Sequence, residues 1–135
     1  MPFISRLMIK FSLLYLMAGI TIGAALLINK AWVMSEVLWL LLPIHIEFLI
    51  FGWVIQFTLG VAYWILPRYL KSKGRGSKSL ASKMAVLLNA GIWMMITSYL
   101  LELNLLAISG RILELIAVAL FVYLHWNRVK TYKHN

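Results

Sequence analysis

The sequence contains no cysteine. Disulfides, thiolate-bound zinc, iron–sulfur clusters and thioether-attached heme are therefore excluded for this chain. Acidic residues are nearly as scarce: four, against thirteen Lys and Arg, for a net charge of +9. There is no Gly-rich phosphate loop, no Ser–His–acid set and no pair of carboxylates close in sequence, so the common soluble-enzyme chemistries find no residues here. Long polar stretches are also few. Hydrophobic residues make up 63% of 135 positions, well above the roughly 45–50% of soluble domains. A soluble chain this short cannot hide that much apolar surface, so the composition specifies an integral membrane protein, and the positive charge speaks to topology rather than to nucleic acid.

A membrane helix needs about 20 apolar residues, and four such runs are present. The expected fold is all-α: one domain, residues 1–135, with transmembrane spans at 8–28, 43–66, 84–101 and 111–127 in an antiparallel up-down bundle. Pro43 marks the start of the second span, because proline is tolerated in a first helical turn. Residues 31–42 then form an interfacial approach or an extra turn or two. The segment 102–110, "ELNLLAISG", reads as a loop, and 68–83 as a basic one. Eleven of the basic residues fall on one side of this arrangement; only Lys30 and Arg111 fall on the other. By the positive-inside rule both termini and loop 68–83 face the cytoplasm of an inner membrane, and the loop touches anionic lipid. The first span is too long for a signal peptide and reads as an uncleaved anchor. Gly19 and Gly23, four apart, permit close helix contact.

Within the second span, "LLPIHIEFLIFGWVIQFTLGVAYWILPRYL" carries polar residues that are expensive in a bilayer and hence functional suspects. At about 100° per residue an α-helix puts His45, Gly52, Gln56 and Tyr63 within about 20° of one line, with Gly60 close to it. A coordinating imidazole followed by positions without side chains is the order a heme needs, since the helix must lie close to the macrocycle. Interhelix hydrogen bonding and small-residue packing produce the same stripe, so spacing alone leaves both uses open. Glu47 points about 160° from His45 on the same wheel and reads as reaching for the outer interface or a partner subunit.

Pro43-x-His45, Phe51-Gly52 and the closing Pro67-Arg68 resemble the second helix of subunit I in the heme-copper oxidase superfamily, nearest its C-type oxidases and nitric oxide reductases. The resemblance covers residues 43–68; over the rest of the chain it extends only to helix order. It implies that His45 is an axial ligand of heme b near the outer face, with Gly52, Gln56, Gly60 and Tyr63 along the cofactor and Arg111 paired to a propionate. It also implies that this chain looks like a single four-helix unit of a larger core. The family's copper ligands lie on later helices that are missing here, so oxygen reduction by this chain alone is not expected. Glu47 stands where the family usually carries asparagine.

His125 lies fourteen residues beyond Arg111, about 21 Å deeper at the α-helical rise, and reads as an interfacial histidine; His134 is in the charged tail. Neither shares a depth with His45. A second axial ligand is therefore expected from another copy, with a twofold dimer favoured and a trimer as the alternative; Met94 or Met95 is a weaker option. The function expected is heme-b electron transfer or diatomic gas binding in contact with a respiratory chain. The alternative is an accessory or assembly subunit without its own heme. A transporter is disfavoured, because spans one, three and four carry no evident charge pair.

Overall fold

The computed structural model describes residues 1–66 and 77–130, and every described element is helical. We number four helices: α1 (Phe3–Trp32), α2 (Glu36–Ile65), α3 (Lys78–Leu101) and α4 (Asn104–Lys130). All four are long and apolar enough to cross a membrane. Pro67, Arg68, most of the basic loop 68–83 and His134 lie outside the described residues.

Each helix runs further than hydropathy alone suggests, since a helix continues through polar residues as readily as through apolar ones. α1 follows Pro2 and stops at Val33, whose left-handed backbone (φ 43°) donates its N–H to the Asn29 carbonyl. The buried Asn29 side chain accepts the Ser35 N–H at 2.8 Å and so fastens the turn into α2. Residues 31–42 are correspondingly helix end, turn and a 3₁₀ segment, Glu36–Leu41. Ser77 caps α3 by accepting the Leu80 N–H. The largest departure is at 102–110. Only Glu102 and Leu103 separate α3 from α4, so the expected loop is mostly the first two turns of a helix.

α2 changes winding three times. After the 3₁₀ turn come an α-helical stretch, Leu42–Glu47, a π-helical stretch, Phe48–Ile55, and an α-helical stretch again, Gln56–Ile65. π-turns are rare and concentrate at functional sites.

Two close helix pairs carry the packing. α1 lies on α2 through Gly19, which meets Leu49 and Phe48, and Gly23, which meets His45; both glycines serve packing within the chain. α3 lies on α4 at Gly91 and Gly110, where a Cβ on Gly91 would stand 2.9 Å from the Gly110 carbonyl oxygen. Met8, Tyr15, Phe48, Leu88, Ile92 and Ala117 join the pairs in one apolar core. Outside it, large apolar side chains face outward, among them Leu27 (70% exposed), Leu105 (78%) and Leu115 (69%). Such a surface suits hydrocarbon and not water.

Candidate functional site

His45 sits in the α-helical stretch that Pro43 opens, on the face toward α1. Its Nδ1 is 2.8 Å from the Gly19 carbonyl oxygen, and its ring rests where a side chain on residue 23 would be, a Gly23 Cβ falling 2.6 Å from Cε1. A carbonyl only accepts, so Nδ1 carries the proton and Nε2 keeps its lone pair. The residue is half-buried.

Gly52, Gln56 and Gly60 also turn to α1, so these residues share one face with His45, and Tyr63 does not. What fills it differs from expectation. A Cβ on Gly52 would fall 2.6 Å from the Tyr15 ring, and one on Gly60 3.0 Å from Met8 Cβ. The Gln56 amide donates to the Met8 carbonyl at 3.3 Å. The room these glycines leave is thus taken by side chains of α1 rather than left for a macrocycle. A stripe of small residues specifies close approach and nothing about the occupant.

Tyr63 departs from the group. It is buried with Ala81 and Leu124, edge-on to the His125 ring at 5.7 Å. His125 packs inside the bundle: it is 3% exposed and stacked on Phe121 at 4.1 Å, with Nδ1 donating to the Phe121 carbonyl. Since Tyr63 follows His45 by eighteen helical residues, His125 sits toward the far end of α2 from His45, and the two do not share a ligand. Met95 packs against Gly110. A groove of about 800 Å³ between α1 and α3, lined by Tyr15, Asn89 and Trp93, does not include His45.

A second cluster is absent from the sequence reading. Because α4 begins at Asn104, Arg111 lies two turns inside it and not at its end. Its guanidinium makes a two-point contact with Glu47 on α2, Nη1–Oε1 3.2 Å and Nη2–Oε2 2.7 Å. It also meets Glu114 Oε2 at 2.6 Å and the Tyr99 hydroxyl of α3 at 3.3 Å, and covers the Phe51 ring at 4.4 Å. The Glu47 and Glu114 side chains are 1% and 2% exposed, that of Arg111 41%. Glu47 therefore binds within its own chain, on a different neighbour from His45, as the angle between them implies. The expectation of no buried charge pair in spans one, three and four is overturned. The available signal was Arg111 and Glu114 at i,i+3 in an apolar run. Its partner, Glu47, is 64 positions away and only the packing brings it in.

A planar guanidinium fork matches a carboxylate at two points, which makes this the strong form of ion pair. Removing Arg111 would strand a buried carboxylate. With both terminal nitrogens engaged by Glu47, Glu114 and Tyr99, a propionate reaching Arg111 would have to use Nε or displace one of them.

The fold and the site define a multi-pass helical membrane protein with a half-buried histidine and a buried ionic cluster on adjacent helix faces. No family model, no curated protein and no solved structure matches the chain.

Proposed function

We propose that this chain is a heme-b-binding membrane protein, with His45 Nε2 as an axial ligand of iron, serving electron transfer or diatomic gas binding. The Nδ1–H bond from His45 to the Gly19 carbonyl supports this reading. A backbone acceptor on the far nitrogen is how ligating histidines are oriented and made more basic. Because Tyr15 and Met8 occupy the glycine stripe, His45 would hold heme without help from Gly52 and Gly60. A twofold axis along the membrane normal then brings a second His45 to the same depth, and the dimer supplies both axial ligands; in a trimer at least one heme keeps an open position. Bound heme supplies an iron centre that exchanges an electron, or coordinates a gas where a position is open; the protein sets which by ligation and burial. The charge asymmetry supports an inner-membrane location with both termini cytoplasmic and neighbouring spans running in opposite directions. The likeness of residues 43–68 to a heme-copper oxidase helix supports a place beside a respiratory chain.

One observation favours the second reading, an accessory or assembly subunit without heme. The tight seating of Tyr15 on Gly52 is what a plain packing stripe produces. Visible absorption of detergent-purified protein, oxidised and dithionite-reduced, separates the two. The expected result is a sharp reduced α-band of the b type that His45→Ala removes. Colourless wild-type protein, after expression with ample heme, overturns the heme reading and leaves the accessory one.

A further inference from the structure

The ionic cluster carries one carboxylate more than it has cations. Glu47 takes the two-point contact with Arg111. Glu114 receives a bond only at Oε2, and its Oε1 is buried with no hydrogen-bond partner. The side chain has nowhere else to go. Gly91 of α3 closes over it, a Cβ there falling 2.7 Å from Glu114 Cγ, and the Glu114 carboxyl shares Arg111 Nη1 with that of Glu47. The titratable and charged groups facing it are Glu47 from α2, Arg111 from its own helix and Tyr99 from α3. The Phe51 ring closes the remaining side of Arg111. An ionised Glu114 would leave a charged oxygen without a donor in an apolar bundle, beside a second carboxylate, and among the described residues no cation but Arg111 pairs with it.

We infer that Glu114 holds a proton on Oε1, which makes the Glu47–Arg111–Glu114 cluster a one-proton binding site within the membrane. The proton transfers from hydronium to Oε1, forming an O–H bond and releasing water. It converts the orphaned acceptor into a donor toward Glu47 and leaves the triad neutral. Arg111, 41% exposed, connects the cluster to the surface of the bundle. A buried carboxyl with such access is a component of proton relays in membrane proteins. The inference stands independently of heme.

The test is infrared absorption of the full-length protein in bilayers at neutral pH, in H₂O and D₂O, reading the C=O stretch of a protonated carboxyl. The expected spectrum has such a band, downshifted in D₂O, absent in Glu114→Gln and unchanged in Glu36→Gln, which alters an exposed residue. Arg111→Gln removes the one cation and approximately doubles the band. Wild-type protein without the band, or a band that persists in Glu114→Gln, overturns the inference. The wild-type spectrum decides even if a variant fails to fold, since among the described carboxylates only Glu47 and Glu114 are buried.

Discussion

Arg111 is the residue on which the interior of the bundle turns, because one side chain there satisfies groups from three helices. Its partners are unequal. Glu47 offers two oxygens to the fork, Glu114 one, and Tyr99 a hydroxyl at longer range. Truncating Glu47→Ala removes the two-point contact but leaves Arg111, 41% exposed, its bond to Glu114, and a loss of about 1.5–3 kcal/mol is expected. Tyr99→Phe removes one long hydrogen bond, 3.3 Å, that the guanidinium donates to a hydroxyl, and costs about 1 kcal/mol. Unfolding in mixed detergent micelles should show that order; equal midpoints for the two variants would mean the pair adds no more than the hydroxyl contact. Residue types were readable in advance, and so was the divergence of His45 and Glu47 around α2. The partner of Glu47 was not, because a helical wheel gives direction without saying which helix lies there.

Among the elements, α2 and the α3–α4 turn depart most from a hydropathy reading. Four apolar runs were enough to place four helices, since nothing but a helix satisfies so much backbone in an apolar medium. Their ends were misplaced wherever helix continued through polar residues, and 102–110 shows the consequence: with α4 begun late, Arg111 became a flanking charge and Glu114 went unnoticed. The π-helical stretch in α2 is likewise invisible to a fixed angular step. The short α3–α4 turn offers a direct check. Glu102 is exposed and caps α3 with φ 55°, a conformation that costs a non-glycine residue about 1–2 kcal/mol and that glycine adopts freely at this cap position. Glu102→Gly should therefore raise stability, by about 0.5–1 kcal/mol once glycine's greater freedom when unfolded is subtracted. A lower melting midpoint in detergent would show that the turn is not strained.

For the whole molecule, the proposed heme site predicts a stoichiometry. If two His45 side chains from a twofold pair hold one iron, pyridine hemochromogen analysis should give one heme per two chains. The pigmented species should migrate as a dimer in detergent, and His45→Ala should abolish both. One heme per chain in a monomer would instead indicate a single-histidine, open-coordinated site. By itself, the sequence determined the solvent, the number of helices and the line of residues along α2, because apolar run length and helical periodicity are local properties. The tertiary structure alone decided what that line touches and which charges meet. Tyr15 on Gly52, Met8 on Gly60 and Arg111 between Glu47 and Glu114 join residues distant in the chain, and only the docking of one helix on another fixes such contacts.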